Sequence, residues 1–497
     1  MGIELKEFLQ IINGFGKYQK LLDLLFSLMV IPCGYSTLVM YFAALNPKWK
    51  CTKNSTVCIQ NGTFAKDDAF RCQIPRSEWD YIEPQEYSIV TQFDLVCDRE
   101  WGVYMSTSIF FIGWIMGALF LGWVSDNYGR KKVMFVSFTA VVLGGFASSF
   151  STNLAMFLVL RFISGIFRGG TIFYVTITEM VSDKKRSFAG NMIWLSFTIA
   201  LCAMGLKAYF IRTCKTLLIV TTVPYLLFLL TYNFVPESIQ WLRAKGRVDE
   251  ALKILQKIAR WNGKELDPKL SLAPIKAGGI NRVSPVDLFH GREMAIKTLA
   301  QGFVWMVNGM VYYGIALAAD DLGGSLYLNF VLVSLVEFPA VIIAIVCLNR
   351  FGRKKTTIIS LFLSGIVCLC VPAIPLSSGV NLGRVCLGMM GKMFITISFD
   401  GVFLWSAELY PTSIRSQGFG FLRITSRIGA AAAPWIAKAV KVFHPSLPFI
   451  IMGGLGLLSG ATCFFLPETL GVEMKATVQD NGDNGEKIEL KDQNIIS

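Results

Sequence analysis

Gly122-Trp-Val-Ser-Asp-Asn-Tyr-Gly-Arg-Lys-Lys132 joins two long apolar segments, and Leu348-Asn-Arg-Phe-Gly-Arg-Lys-Lys355 joins two more. Arg130 and Arg353 hold matching places in the two stretches, 223 residues apart. Working outward, the same spacing relates Arg161 and Gly165 to Arg384 and Gly388. Glu179-x6-Arg186-Ser returns as Glu408-x6-Arg415-Ser after 229 residues, and Pro236-Glu-Ser returns as Pro467-Glu-Thr after 231. Four echoes in one order make the chain a duplication whose halves run in the same direction, one of the repeat arrangements that membrane proteins use.

Composition places these halves in a bilayer. Of 497 residues, 53% are hydrophobic and only 16% charged. Twelve apolar runs are expected to span, near 21–44, 101–124, 133–150, 154–177, 188–210, 216–235, 297–319, 325–348, 356–375, 382–407, 416–437 and 447–466. Most reach the ~20 residues a helix needs to cross hydrocarbon. They lack the alternation of a barrel strand, so the fold class is an all-α polytopic membrane protein with two six-helix halves.

Basic residues orient it. Short loops after helices 2, 4, 8 and 10 carry eleven, among them Lys132, Lys184 and Lys355; those after helices 3, 5, 7, 9 and 11 carry four. Both termini are therefore expected in the cytosol, and the protein in the plasma membrane. The +13 net charge is spread over many loops. It reads as a topology signal rather than a nucleic-acid footprint, so the bilayer is the expected partner and no nucleic acid is. The first run is too long for a signal-peptide core, and Lys6 stands where a myristoylation signal needs Ser or Thr.

The expected domains are a cytosolic N-terminus at 1–20, a first half at 21–235, a cytosolic linker at 236–296, a second half at 297–466 and a tail at 467–497. An extracellular loop at 45–100 holds the sequons Asn54-Ser-Thr and Asn61-Gly-Thr, with Cys51, Cys58, Cys72 and Cys97. Sequons beside an even cysteine set predict glycosylation at Asn54 and Asn61 and two disulfides, with three pairings open. In the linker, Val248, Ala251, Leu252, Leu255, Ile258 and Ala259 recur at helical spacing before Asn262-Gly263, predicting an amphipathic helix. The tail after Gly471 reads as disordered.

Catalytic and nucleotide-binding signatures are missing. Gly391-Lys392 is the nearest approach to a phosphate-binding loop, but Cys386 and Met393 occupy positions that need Gly and Ser or Thr. There is no HExxH, paired CxxC or GxSxG pattern, and the two histidines, His290 and His444, sit in loops. Neither an enzyme nor a cofactor or metal is expected.

Gly122-x3-Asp126-x2-Gly129-Arg-Lys-Lys resembles the signature of the major facilitator superfamily. Further stretches resemble its organic-ion branch of cation, anion and carnitine or zwitterion transporters. They include Phe15-Gly-Lys-Tyr-Gln19, Thr91-Gln-Phe-Asp-Leu-Val-Cys-Asp98, Pro236-Glu-Ser-Ile-Gln-Trp-Leu242, Trp305-x6-Tyr312-Tyr-Gly314, Val336-Glu-Phe-Pro-Ala340, Glu408-Leu-Tyr-Pro-Thr412 and Leu466-Pro-Glu-Thr-Leu-Gly471. They run nearly the full chain, although the outer loop is short for the branch and has four cysteines where six are common. The resemblance implies a site between the halves that opens alternately to either side. It implies a small organic ion as substrate, with or without a counter-transported ion; oligomeric state stays open.

Asp126, Arg130, Glu179, Arg186, Arg353, Glu408 and Arg415 are expected to form the gate. Glu179 with Arg186, and Glu408 with Arg415, are expected to close the cytosolic face through ion pairs. Asn349 replaces the aspartate of the first half, which predicts gates of unequal strength.

Ionisable groups inside a bilayer are costly and mark function. At ~1.5 Å rise per residue, Arg168 lies ~21 Å, Glu337 ~18 Å, Lys392 ~15 Å and Arg427 ~17 Å into their helices, all near the midplane. Tyr312, Tyr313 and Phe399 add rings at similar depth. The substrate site is therefore expected from Arg168, Tyr312, Tyr313, Glu337, Lys392, Phe399 and Arg427. Glu337 could equally be a structural tie, and it is the expected partner of Arg427 when no substrate is bound. Arg161 reads as structural or coupling. The resemblance also bears on charge sign, since Arg427 and Lys392 match positions that are basic in the anion and carnitine types. An organic anion or zwitterion is favoured over an organic cation, while Asp400 works the other way. A sugar porter would show an amide-rich interior instead, and a receptor or scaffold would have no need of gate motifs.

Overall fold

The computed structural model describes residues 2–3, 5–52, 70–265, 271–272, 285–289, 291–375, 381–411 and 414–471. Asn54, Asn61, Cys58, His290 and the tail from 472 onward lie outside the described residues. Twelve spanning helices run through the described residues. The first half comprises α1 Lys17–Ala43, α2 Cys97–Tyr128, α3 Arg130–Ser148, α4 Leu154–Thr178, α5 Phe188–Phe210 and α6 Cys214–Asn233. The second comprises α7 Arg292–Leu317 and α8 Leu326–Phe351, α9 Arg353–Ala373 and α10 Leu382–Leu409, then α11 Arg415–Ala437 and α12 Leu447–Phe465.

Ten of the twelve are long and apolar enough to read as spans from composition. The other two, α7 and α11, are more polar because they face protein rather than lipid. Thr298, Gln301 and Asn308 of α7 are buried, and α11 carries Arg423 and Arg427. These two helices touch backbone to backbone. A Cβ added at Gly309 would stand 2.3 Å from the Ser426 carbonyl, and one at Gly429 would stand 1.9 Å from the Met306 carbonyl. In lipid, small residues hold helices together because they let backbones approach.

Several helices are interrupted along their length. The regular turns of α4 stop at Gly169 and resume at Phe173, just past Arg168. Those of α8 break at Val336, one residue before Glu337. The last eleven residues of α6, Val223–Asn233, wind as a tighter 3₁₀ helix.

The halves meet at the end that carries the 45–100 loop. There Phe42 stacks on Tyr327 at 5.6 Å, Tyr41 on Phe330 at 4.7 Å, and the Ser108 hydroxyl donates to the Ala431 carbonyl at 2.6 Å. The loop folds on a two-stranded ribbon of Trp49–Cys51 and Trp79–Tyr81. Cys72 is bonded to Cys97, and Cys51 is also in a disulfide.

At the opposite, linker end, a helix at Val248–Trp261 buries Ala251, Leu255, Ile258 and Ala259. Asn262 then ties it to the first half. Its side chain accepts from the Tyr18 N–H at 3.1 Å and donates to the Ile12 carbonyl at 2.8 Å and to Gln19 at 2.9 Å. The segment before α1 is not merely a tail. Leu5–Ile11 is a helix with Leu5, Phe8 and Leu9 buried, and Gly2–Ile3 pairs with Ser271–Leu272.

Candidate substrate site and gate clusters

Between the halves, Arg168 beside the α4 break and Arg427 of α11 come together on one indole. Trp114 of α2 carries the Arg427 guanidinium 3.8 Å from its ring centroid and that of Arg168 at 4.4 Å. One arginine comes from each half. Arg168 also donates to the Thr171 hydroxyl in the α4 break, and Tyr313 stands close to Arg427. Among the described residues no carboxylate forms an ion pair with Arg168, Arg423 or Arg427.

Glu337 does not neutralise Arg427, contrary to the sequence expectation. Its carboxylate instead pairs with Lys392 at 3.1 Å, accepts from the Tyr312 hydroxyl at 2.6 Å, and accepts from the Thr198 hydroxyl at 2.8 Å. Glu337 and Lys392 are 3% and 1% exposed, so each is a charge that only its partner makes tolerable. Lys392 of α10 is the cation that reaches Glu337. The Lys392 ammonium also lies over the Tyr312 ring and donates to the Tyr312 carbonyl. Phe399 packs on Tyr312 at 5.8 Å and on Trp305 at 5.6 Å. Thr198 belongs to the first half and Glu337 to the second, so this bond crosses the seam.

Five of the seven sequence candidates, with Phe399 behind Tyr312, thus fall into two groups: Arg168 with Arg427 on Trp114, and Glu337 with Lys392 on Tyr312. Tyr313 lies between them, 5.1 Å from Tyr312. Asp400 has one carboxylate oxygen, Oδ2, with no hydrogen bond. Trp114 and Thr198 were missed. Trp114 had a readable signal, because tryptophan favours the interfaces of a membrane and this one sits at mid-span. Thr198 had none, being one hydroxyl among many.

The basic loops build two matching clusters at the linker end. Arg130 pairs with Glu179, whose other oxygen accepts from the Ser238 hydroxyl at 2.5 Å. In the second half Arg353 grips Glu408 with two bonds of 2.9 and 2.7 Å, and Thr469 donates to Glu408 at 2.6 Å. The expected pairs with Arg186 and Arg415 are replaced. Arg186 donates to the Thr178 carbonyl and Arg415 to that of Tyr410. Arginine at the start of α3 or α9 faces the end of α4 or α10 directly, which makes it the nearer partner. Each pair lies within one half, so neither bolts the two halves together. Nor does Asp126 take a bond. Its carboxylate is exposed and has no hydrogen bond or ion pair among the described residues, although it lies in electrostatic range of Arg130. Replacement by Asn349 therefore leaves the second cluster complete.

Glu237 and Glu468 finish the clusters. Glu237 accepts from the N–H groups of Arg130 and Lys131 at 2.9 and 3.0 Å. Glu468 accepts from those of Arg353 and Lys354 at 3.0 and 3.1 Å. Each carboxylate caps the positive end of the following helix. Gly129 and Gly352 make room, with φ of +107° and +93° that disfavour a side chain. Burial works against the charged Glu468, yet the N–H groups of Leu470, Thr469, Arg353 and Lys354 hold its pKa below the ordinary value. A depressed carboxylate stabilises the fold above its unfolded-state pKa and loses that effect as pH falls through its folded one. Glu468→Gln should therefore lower thermal stability at neutral pH, by about 1 kcal/mol for a lost cap. The gap to wild type should close as pH falls through the depressed pKa of Glu468. A gap that stays constant with pH would contradict the cap.

With this geometry in view, known proteins give the chain its place. The family described as Sugar (and other) transporter matches residues 14–479. Solute carrier family 22 member 3 of Rattus norvegicus is 32% identical over 405 residues, covering 81% of this chain and 73% of that protein. The chain belongs to the organic ion transporter family of the major facilitator superfamily. Organic cation/carnitine transporter 2 of Rattus norvegicus is 30% identical over 511 residues, covering 93% of this chain and 91% of that one. The inward-open xylose transporter from E. coli superposes with a TM-score of 0.65 over 91% of this chain and 98% of its own. At 16% identity that likeness shows the fold alone. The protein is a multi-pass membrane transporter and not an enzyme.

Proposed function

We propose that this transporter carries small amphiphilic organic anions or zwitterions by alternating access, with the substrate carboxylate held between Arg168 and Arg427. The observation that carries this reading is the shared indole. Two guanidiniums from opposite halves lie over Trp114, with no acid among the described residues paired to either. A carboxylate placed there gains two charge-assisted partners and draws the halves together. Tyr313 and the Tyr312–Phe399 pair supply rings for an apolar body. Glu337 is a poor cation site, since Lys392 already neutralises it.

A cation or carnitine-like substrate is the second reading, favoured by the unpaired oxygen of Asp400. A sugar porter fits less well, as the mid-depth groups are charged and aromatic rather than amide. A scaffold would leave Arg168 and Arg427 without purpose. The test is uptake of labelled anions, zwitterions and cations in one expression system, normalised to surface protein.

For topology, the reading places the linker end and both termini in the cytosol of a plasma-membrane protein. Asn54 and Asn61 then face outward and carry glycans. Asn54→Gln with Asn61→Gln should increase gel mobility and abolish sensitivity to glycosidase. Mobility unchanged by both the substitutions and the enzyme would contradict it.

A further inference from the structure

The lipid-facing wall of the first half carries a feature that transport does not use. Beside the 3₁₀ stretch Val223–Asn233 of α6, an apolar groove opens against α3. Val136, Ala140, Leu143, Leu229 and Tyr232 line it, with Val136 59% exposed. At its linker end stands a cation. The Lys131 ammonium lies 4.1 Å from the Tyr232 ring centroid, and Glu237 and, more weakly, Lys257 of the linker helix act on it electrostatically. Among the described residues Lys131 forms no salt bridge.

The duplication provides an internal comparison. Lys354, the counterpart of Lys131, donates to the Phe464 carbonyl at 2.9 Å. On that side the tight winding covers only Cys463–Phe465. Lys354 is therefore spent on a backbone carbonyl, while Lys131 keeps its ammonium over the Tyr232 ring at the head of the groove.

We propose that the α3–α6 groove binds one anionic phospholipid, an acyl chain lying along Val136, Ala140, Leu143 and Leu229 and the phosphate held by Lys131 and Lys257. The charge match selects the occupant: a zwitterionic lipid would fill the groove but bring no net charge to the two lysines. The site adjoins the first gate cluster, since the Lys131 N–H is held by Glu237 next to the Arg130–Glu179 pair. A headgroup there bears on the pair that fixes the linker end of α4.

The test uses the full-length protein purified in detergent and exposed to phosphatidylglycerol or phosphatidylcholine, with bound lipid counted by native mass spectrometry. One phosphatidylglycerol should be retained in preference to phosphatidylcholine. Lys131→Gln should weaken that retention about fivefold, the worth of one lysine at an anionic surface. Lys132→Gln, an exposed neighbour with the same charge change, should leave it unaltered. Ala140→Phe should fill the groove and reduce retention of both lipids without changing charge. Equal losses from Lys131→Gln and Lys132→Gln would overturn the proposal, as would wild-type retention by both Lys131→Gln and Ala140→Phe. Displacement of the lipid by inorganic phosphate would likewise overturn it, reducing the site to a plain anion contact.

Discussion

Arg427→Ala should abolish uptake of organic anions and zwitterions while leaving surface expression near wild type. The guanidinium stands on Trp114 and pairs with no acid among the described residues. An unpaired charge at that depth costs at least about 2.5–3.5 kcal/mol on insertion scales, so removing it does not harm the fold. What is lost is the substrate's partner from the second half. Arg427→Lys should recover only part of the activity, keeping the charge but not the fork that matches a carboxylate. Arg427→Asp should shift residual transport toward cations. Arg168→Ala tests the partner from the first half and should weaken affinity similarly. Wild-type anion uptake by surface-expressed Arg427→Ala would make Arg427 a structural residue.

The second large effect falls on the Glu337–Lys392 pair and concerns stability. Lys392→Ala leaves the Glu337 carboxylate buried with only Tyr312 and Thr198 to satisfy it. Breaking a buried pair from one side costs about 3–5 kcal/mol. The single variant should therefore unfold at markedly lower temperature and reach the surface poorly. Glu337→Gln with Lys392→Gln removes both charges and should regain most of the stability. Thermal unfolding of the purified proteins checks this. Equal destabilisation by the single and double variants would show that packing, not charge, governs the site.

Much of this architecture was legible in the residues. The repeated basic loops, the apolar runs and the paired Pro-Glu motifs predicted two parallel six-helix halves, because bilayer length and backbone satisfaction leave few choices. The depth of Arg168, Glu337, Lys392 and Arg427 followed from counting residues along helices. Their pairing did not follow. Which cation meets Glu337 depends on how α8, α10 and α11 pack, and that long-range geometry is not written in the spacing of the residues. The same limit hid the gate partners. Spacing suggested Arg186 and Arg415, near in sequence, while the fold brought Arg130 and Arg353 in from the preceding loops. Glu237 and Glu468 were visible as a repeat but not as caps, since their N–H donors lie more than a hundred residues away.

The central claim is that a site built on Arg168, Trp114 and Arg427 takes a negatively charged group. It is tested most directly with two labelled compounds of the same aromatic body, one bearing a carboxylate and the other an ammonium, offered to cells with equal surface protein. The account predicts saturable uptake of the carboxylate that disappears in Arg427→Ala, and background uptake of the ammonium compound. Saturable uptake of the ammonium compound alone, unchanged in Arg427→Ala, would contradict it.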